Sequence, residues 1–561
     1  KIVWNGQKFK VGTDSNLLIQ RVVEKLPGVP VSENEAYALN ICADSAVLTA
    51  TSGMGLFRGL QTVKQLTLEE NGQIREVEGL KYSTNPQLSS GEFMLAPLFG
   101  EHMVFQQNKP VQIFGTSGAG DQIKVVFDHQ SGVCETGIDG HWELSLPQVK
   151  AGGPYPLKIF VNGKSVTDWK DILVGDVWFC SGQSNMAFRL DQSADGRKEA
   201  ERASDNKLRL MNCLPIASTS DEMWDTTALK RINRLDYFEG SWQTGNRDEA
   251  AGFSAIAWHF GKELREKLGV PVGLVQVAVG GAPAESFIDR RTIEDDPQLS
   301  NILSDWFGNE LVMEWCRERA LKNVSLQNPL QQRHPFMPSY IFDACVSAFK
   351  GFPVRGVIWY QGESNAHNPE YYELAFPALV GSWRQLWGNA ELPFLYAQLS
   401  SIQRPGWEIF RECQRKMALK IPNTGMVVTS DLGDSLNVHP VHKKEIGHRF
   451  ALQALQKVYG KDIMADGPMP GKAEIKDGLL EISFPGHLLE TSGSDPIREL
   501  EVAGEDGIFR QVPGKLSADK IIVQTGNQKI KQVRYAWKPF SRGNLTNREG
   551  LPASTFNIIV N

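Results

Sequence analysis

The sequence lacks the features that mark several common classes of protein. No stretch approaches 18 consecutive apolar residues, which argues against a transmembrane helix. The 59 basic and 65 acidic residues nearly balance, giving a net charge of −6, and no basic run stands out. The chain therefore shows no electrostatic footprint for nucleic acid, and a neutral or mildly charged small substrate fits it better.

Cysteine is present but not in a pattern that binds metal or builds a disulfide framework. The seven cysteines are scattered without CxxC spacing, so we expect buried free thiols. We predict no metal and no cofactor. The chain opens at Lys1 and not at Met, a start that signal-peptide removal would explain, so we expect a secreted or periplasmic protein.

Length and pattern predict four segments in the 561 residues. Residues 1–90 hold a strand-like run at 37–51 and a helical run at 57–66, which predict a small α/β domain. Residues 91–173 alternate short β-branched runs with glycine-rich turns, as in a β-sandwich. Residues 174–464 alternate strands and helices, and residues 465–561 return to short strands, either a β domain or an extension of the segment before it.

The segment 174–464 predicts a parallel sheet with helices on both faces. Apolar strands at 174–179, 272–279 and 354–360 each run into a glycine-containing turn. Ser254 is placed to cap a helix that Gly269 closes. Because ligands of such folds bind at the carboxyl ends of the strands, the three turns are the candidate site.

Ser184 follows the first of these strands, in the sequence VWFCSGQSNM at 177–186. A serine hydroxyl is a weak nucleophile, which needs a base and an anion-binding pocket, and a helix start supplies free backbone N–H groups. Met186 stands where the GxSxG elbow would have glycine, so this is not that motif. Taken alone, Ser184 fits a helix cap better than a nucleophile.

Two later turns carry further polar side chains. Gln361, Glu363 and Asn365 follow the strand 354–360, where they have no evident packing purpose. His439 follows a strand at 425–429 and is the natural general base, since imidazole titrates near neutral pH.

These motifs together resemble the sialate O-acetylesterase family, a carbohydrate-esterase branch of the SGNH hydrolases. The likeness lies in GQSNM, in GGAPAE at 280–285, in WYQGESN at 359–365 and in the late HP at 439–440, and it extends over about residues 92–560. The resemblance implies a flavodoxin-like parallel sheet of the SGNH type and the removal of acetyl groups from sugars, most directly from O-acetylated sialic acids.

The resemblance also assigns roles to residues. Ser184 would attack the acetyl carbonyl, and His439 would take its proton. The oxyanion would be held by the N–H groups of Ser184 and Gly281 and by one side chain, Gln361 or, second, Asn365.

The acid of the triad is where the sequence departs from the family pattern. SGNH enzymes often carry D-x-x-H, but Leu436 occupies the acid position. Asp434 is the preferred candidate for orienting the imidazole of His439, with Asp431 and Glu363 as alternatives. A Ser–His dyad without an acid is also open.

The N-terminal segment has a resemblance of its own, to the small non-catalytic α/β domain that precedes the barrel of family 20 hexosaminidases. The pattern G-x-F-x-G-x-x-T-x-x-Q-L is matched by Gly55, Phe57, Gly59, Thr62, Gln65 and Leu66. No such barrel follows, so an accessory role is expected.

The substrate is less determined than the chemistry. Arginines in or near the site segments could bind a sialate carboxylate: Arg189, Arg290, Arg355 and Arg404. An acetylxylan or general acetyl-sugar esterase is the nearest alternative, and an inactive carbohydrate-binding protein is the alternative of another class. His442 and His448 are expected to face solvent or cap the helix, since they lack a carboxylate or cysteine at ligand spacing.

Overall fold

The computed structural model describes residues 91–324, 332–493 and 495–561, together with the backbone of seven short strands in the first ninety residues. The chain divides into two compact units. One comprises residues 1–92 with 117–120 and 136–141, and the other comprises the remainder. No helix in the described part of the chain is long and apolar enough to cross a membrane.

The N-terminal unit contains short strands, at Ile2–Trp4, Gln7–Phe9, Leu17–Val22, Tyr37–Ile41, Ser45–Ala50, Glu69–Glu70 and Gln73–Ile74. The expected single run over 37–51 is wrong: Tyr37–Ile41 and Ser45–Ala50 are two strands that pair antiparallel. The helix expected at 57–66 lies outside the described residues.

The larger unit is built on six strands that pair in parallel. They are β1 (Lys164–Gly182), β2 (Ser204–Pro215), β3 (Val272–Ala278), β4 (Gly356–Tyr360), β5 (Phe394–Ala397) and β6 (Thr424–Val427). Their order in the sheet is β2-β3-β1-β4-β5-β6. Without β2, the outermost of the parallel strands, the remaining five follow the 2-1-3-4-5 order of flavodoxin-like sheets.

Strand β1 is long because it belongs to two kinds of sheet. Its first half pairs antiparallel with the strand Gly152–Val161 and has partly exposed residues, whereas its last eleven residues are all buried. This change follows from the parallel half being covered on both faces. The boundary expected between residues 173 and 174 therefore falls inside one continuous strand.

Helices cover both faces of the central sheet. Trp178 and Phe179 are neighbours in β1 and so point to opposite faces. Trp178 packs edge-on against Phe260, with ring centroids 5.0 Å apart, and Phe179 packs edge-on against Trp383 at 5.3 Å. These two partners lie on different helices, and the predicted α/β class is confirmed.

The helices of this unit are α1 (Ser184–Ala187), α2 (Gly196–Glu201), α3 (Thr226–Asn233), α4 (Arg247–Gly252), α5 (Ala255–Leu268), α6 (Arg290–Asp295), α7 (Glu314–Val324), α8 (Tyr340–Ala344), α9 (Pro369–Leu386), α10 (Trp407–Lys420) and α11 (Lys443–Lys457). Short 3-10 turns lie at Leu190–Gln192, Ala284–Phe287, Ser300–Leu303, Val346–Phe349 and Ser430–Leu432. The expected caps of α5 are confirmed: the Ser254 hydroxyl accepts the Ala257 N–H at 3.1 Å, and Gly269 ends the helix at φ 72°.

Further strands precede β1 or pair antiparallel with β2, at Met94–Leu95, Val104–Gln106, Val111–Thr116, Gln122–Phe127, Gln130–Glu135, His141–Leu146, Gly152–Val161, Phe238–Glu239 and Trp242–Asn246. After α11 the chain forms Ala473–Lys476, Leu479–Ser483, Leu489–Thr491, Leu500–Ala503, Arg510–Gln511, Lys515–Ser517, Lys520–Gln524, Gln532–Tyr535, Leu545–Asn547 and Phe556–Ile559.

The C-terminal strands have a hydrophobic core of their own, but a buried arginine attaches them to α10. The guanidinium of Arg411 donates to the Thr555 hydroxyl at 2.8 Å and to the carbonyl oxygens of Pro539 and Ala536. Burying an arginine is costly unless its donors are satisfied. These bonds hold the C-terminal strands on the helix that follows β5.

Candidate active site

Strands β1, β3 and β4 end level with one another, which brings three turns together. Gly182, the last residue of β1, pairs with Ala278 of β3 and with Tyr360 of β4. Gly182 has φ 140°, and a Cβ there would lie 2.1 Å from the Tyr360 oxygen. Only glycine permits this close approach.

Gln183 ties the first turn to the turn that follows β4. Its backbone N–H donates to the Tyr360 oxygen at 3.0 Å. Its side-chain oxygen accepts the N–H groups of Gly362 and Ser364 at 3.4 and 3.3 Å. The Ser364 hydroxyl in turn donates to the Gly281 oxygen at 2.9 Å, so all three turns form one connected network.

Ser184 begins α1 and is partly exposed. A Cβ built on Gly280 would lie 3.9 Å from the Ser184 Cβ, so the turn after β3 is adjacent to this serine. Within the described part of the chain, neither the Ser184 N–H nor the Gly281 N–H donates to a backbone oxygen. Two backbone donors are thus available beside a hydroxyl, as an oxyanion pocket requires.

Thr219 orients the second of these donors, and sequence reasoning missed it. The Thr219 hydroxyl donates to the Gly280 oxygen at 2.7 Å, and this oxygen belongs to the same peptide group as the Gly281 N–H. Thr219 lies in the loop after β2, in no recognisable motif, so only the folded chain reveals its position.

His439 lies in the loop between β6 and α11 and is partly exposed. Its ring centroid is 6.3 Å from that of Phe188, four residues beyond Ser184. Its Nε2 atom is buried and has no hydrogen-bond partner among the described residues, Ser184 included. Burial lowers the pKa of His439, and the positive charges of Lys443 and Arg404 lower it further.

The structure does not bring the expected acid to His439. The Asp434 side chain accepts the N–H groups of Leu436 and Asn437 at 2.8 and 2.9 Å, so it shapes its own turn. Asp431, the first alternative, forms a two-bond ion pair with Arg449 at 2.7 and 2.6 Å.

Gln361, Asn365 and Glu285 form a buried group that we call the amide cluster. Gln361 Nε2 donates to Asn365 Oδ1 at 2.7 Å, and Asn365 Nδ2 donates to Glu285 Oε2 at 2.9 Å. The Ala284 N–H also donates to Asn365 Oδ1, which fixes the orientation of that amide. Burial raises the pKa of Glu285 to about 7.

Asn185, Glu363 and Lys443 form a second buried group that we call the charged cluster. Asn185 Nδ2 donates to Glu363 Oε1 at 2.5 Å, and Lys443 Nζ donates to Asn185 Oδ1. Burial lowers the pKa of Lys443 to about 7 and raises that of Glu363. Sequence reasoning missed Lys443, because a lysine at a helix start looks like a surface residue.

The four arginines considered as carboxylate binders differ in their partners. Arg189 pairs with Asp191 at 2.6 Å and Arg290 with Glu294 at 2.8 Å, while Arg355 donates to the Val458 oxygen. Exposed Arg404 has no carboxylate partner in the described part of the chain.

Arg404 lies in the loop after β5, beside the His439 loop. Its guanidinium carbon is 5.7 Å from the centre of the Trp407 ring. The Gln403 N–H donates to the Ser435 oxygen at 3.1 Å, which joins the two loops.

The other two histidines do not form a metal site with His439. His448 is exposed and pairs with Glu263 at 2.8 Å, and exposed His442 precedes α11 without capping it through its side chain. Among the residues that the structure describes, no three His, Cys, Asp or Glu side chains are grouped to hold a metal ion.

Two protein families match parts of this chain. Residues 331–456 match the family described as carbohydrate esterase, sialic acid-specific acetylesterase. Residues 8–79 match domain 2 of glycosyl hydrolase family 20. Together with the strand-end site, the first match and the relatives below make the chain an ester hydrolase.

Individual relatives indicate a narrower class of esterase. Mouse sialate O-acetylesterase is 27% identical over 442 residues, which are 70% of this chain and 79% of the mouse protein. The human sialate O-acetylesterase is 25% identical over 79% of this chain and 87% of its own length. The predicted resemblance to sialate O-acetylesterases is thereby confirmed, as is that of the N-terminal segment to the hexosaminidase domain.

A solved structure shares the architecture. A carbohydrate acetylesterase from Xanthomonas citri is 29% identical, with a TM-score of 0.69, and the match covers 83% of this chain and 99% of that one. The fold therefore extends over nearly the whole of that enzyme.

Proposed function

We propose that this protein is a serine esterase of the SGNH type that removes O-acetyl groups from carbohydrates, with O-acetylated sialic acids as its preferred substrates. The observation that carries the proposal is the convergence of three strand ends on Ser184. Among the described residues the N–H groups of Ser184 and Gly281 have no backbone acceptor, and a partly exposed histidine lies in an adjacent loop.

In the proposed reaction, Ser184 Oγ attacks the acetyl carbonyl while His439 accepts the hydroxyl proton. The negative charge of the tetrahedral intermediate is held by the N–H groups of Ser184 and Gly281. The sugar oxygen then leaves with the proton from His439, and an acetyl group stays on Ser184. Water, deprotonated by His439, hydrolyses this ester and releases acetate.

The third oxyanion donor is assigned to Asn365 or Gln361, and the hydrogen bonds favour Asn365. Both N–H groups of the Gln361 amide have acceptors, Asn365 Oδ1 at 2.7 Å and the Ala282 oxygen at 3.4 Å. The Asn365 amide donates one N–H to Glu285, and its second N–H is available to a substrate. The proposal reverses the order expected from sequence.

The proposed base is His439, which no carboxylate of the described residues contacts. Asp434 as the orienting acid remains a prediction, and the contacts of its side chain support a Ser–His dyad instead.

Two observations support sialate as the substrate. The mouse and human relatives are sialate O-acetylesterases. Arg404, exposed and without a carboxylate partner among the described residues, is close enough to His439 to lower the pKa of that histidine. A guanidinium so placed would bind a carboxylate strongly, because both groups are charged.

The catalytic proposal is tested with p-nitrophenyl acetate. We expect turnover by the wild type and a loss of about 10⁴-fold or more in Ser184→Ala and in His439→Ala, since each removes a group that forms bonds in the reaction. Ser304→Ala, at an exposed serine, is the matched control. Equal turnover in Ser184→Ala and in the control would refute the serine mechanism.

The substrate proposal is tested by acetate release from 9-O-acetylated sialic acid, acetylated xylan and acetylated hexosamine. Arg404→Gln should lower kcat/KM on the sialate by about 10- to 100-fold, the value of a charge-assisted hydrogen bond. Turnover of p-nitrophenyl acetate at pH 8, where His439 is unprotonated with or without the neighbouring charge, should change little. Arg189→Gln, whose arginine already has a carboxylate partner, is the control. Dominant activity on xylan would favour the broader acetyl-sugar esterase.

A further inference from the structure

Lys443 is buried more completely than a lysine normally is. It is the first residue of α11, four residues after His439, and its relative exposure is 0%. Lysine is almost never fully buried unless it is paired. Its Nζ donates to Asn185 Oδ1 and lies 4.8 Å from the centre of the Phe188 ring and 5.7 Å from that of Tyr360.

Asn185 stands between two opposite charges. Its oxygen faces the ammonium group of Lys443, and its nitrogen faces the carboxylate of Glu363. This polarity holds the amide in one orientation. The same nitrogen donates to the Val438 oxygen at 3.0 Å. Because Asn185 adjoins Ser184 and Val438 adjoins His439, this one side chain joins the two loops of the reaction.

The charges around His439 are mainly positive. Lys443 from α11 and Arg404 from the loop after β5 both disfavour its protonation. The nearby aspartates are engaged elsewhere, Asp431 with Arg449 and Asp434 within its own turn. Glu363 faces Lys443 through Asn185, with no contact to the His439 ring among the described residues.

Lys443 is charged in the pH range in which protonation of His439 would stop catalysis. Burial lowers its pKa to about 7, so the ammonium form predominates below pH 7. In that same range an ordinary imidazole would take up a proton and cease to act as a base. The charge is therefore present where it can oppose that protonation.

With Ser184 as nucleophile and His439 as base, as proposed above, we propose that Lys443 is a positioning residue of this esterase. Acting through Asn185, it holds the His439 loop against the Ser184 turn, and its charge keeps the imidazole free of a proton in weak acid. The role differs from that of a triad aspartate, which would favour the imidazolium.

The test is the pH dependence of kcat/KM for p-nitrophenyl acetate between pH 4.5 and 8, with the product read after alkalinisation. In Lys443→Met the acid limb should move to higher pH, because a neighbouring cation that opposes protonation of His439 is lost. Lys444→Met, at the exposed next residue, should keep the wild-type limb. A purely structural role would lower the plateau without moving the limb.

A second variant guards against misfolding. Lys443→Met combined with Glu363→Gln removes both charges and leaves a neutral hydrogen-bonding cluster, and it should show the same upward limb. An unmoved limb in both variants would overturn the role of Lys443. A wild type whose turnover equals that of Ser184→Ala would instead overturn the proposed function itself.

Discussion

The charged cluster and the amide cluster take residues from the same five-residue turn after β4, yet they differ in electrostatics. Glu363 belongs to the charged cluster, while Gln361 and Asn365, two residues to either side, belong to the amide cluster. In the charged cluster a lysine balances the carboxylate across an amide. In the amide cluster the side-chain hydrogen-bond partner of the Glu285 carboxyl group, among the described residues, is the neutral amide of Asn365.

The difference shows how a counter-charge changes the state of a buried carboxyl group. Burial raises the pKa of both glutamates, that of Glu285 to about 7, and no cation of the described residues lowers the pKa of Glu285. Glu285 is thus protonated below neutral pH, whereas Asn185, Lys443 and Arg404 all oppose the rise at Glu363.

The largest effect is expected from removing the counter-charge of the charged cluster. Glu363→Ala leaves Lys443 buried without its counter-charge and Asn185 Nδ2 without its carboxylate acceptor, and removing one member of such a buried charged network costs about 3–5 kcal/mol. Urea unfolding at pH 6 measures the loss. The loss should shrink at pH 8, because the pKa of Lys443 is about 7 and the ammonium then loses its proton.

The control for this substitution is a double-mutant cycle. Glu363→Ala with Lys443→Met should recover part of the stability, since no buried charge then remains unpaired. A loss that is independent of pH and additive in the double variant would point to a packing defect alone.

A smaller effect, of the opposite sign, is expected in the amide cluster. The native pKa of Glu285 is about 7 against an ordinary 4.5, so the folded state binds more protons between these values. The free energy of unfolding should therefore fall as the pH rises from about 4.5 to 7. Glu285→Gln removes the cost of burying an ionised carboxylate, so this variant should be more stable than the wild type at pH 8 by about 3 kcal/mol.

Urea unfolding at pH 5 and pH 8 tests this point. At pH 5 the two proteins should differ by less than about 1 kcal/mol, because Glu285 is then protonated in the folded wild type. If Glu285→Gln is equally destabilised at both pH values, Glu285 is not the protonated group that its burial implies.

The smallest effect is expected outside both clusters, at the hydroxyl that orients the Gly280–Gly281 peptide. Thr219→Val removes one hydrogen bond, worth about 1 kcal/mol, and should lower kcat about fivefold with little change in KM. The exposed Thr227→Val is the matched control. A kcat equal to that of the control would show that the Gly281 N–H does not depend on Thr219.

The local sequence pattern was sufficient to predict those elements whose boundaries depend on a few neighbouring residues. The Ser254 cap and the Gly269 stop are read directly from residue type and helical period, and both occur in the structure. Strand β3 was expected at 272–279 and runs from Val272 to Ala278. The domain boundary expected between residues 173 and 174 does not coincide with the end of a strand. Strand β1 continues through it, and only the burial of its residues changes there, which alters the composition of the segment but not its conformation.

Contacts between distant segments could not be read in this way. Asp434 was favoured for His439 by proximity in sequence, but its carboxylate bonds within its own turn. Lys443 and Asn185 are 258 positions apart in the sequence, and no motif in either segment predicts their hydrogen bond.

The sequence alone was sufficient to predict the kind of chemistry: a serine after one buried strand, glycine turns after others and a late histidine predict an esterase site, because parallel strands end at one edge. The tertiary structure decided which polar groups surround that site. Hydrogen bonds and charge pairs in a buried environment depend on which side chains meet. That is why the partners of Asn185, Glu285 and Thr219, and the charges acting on His439, became visible only in the folded chain.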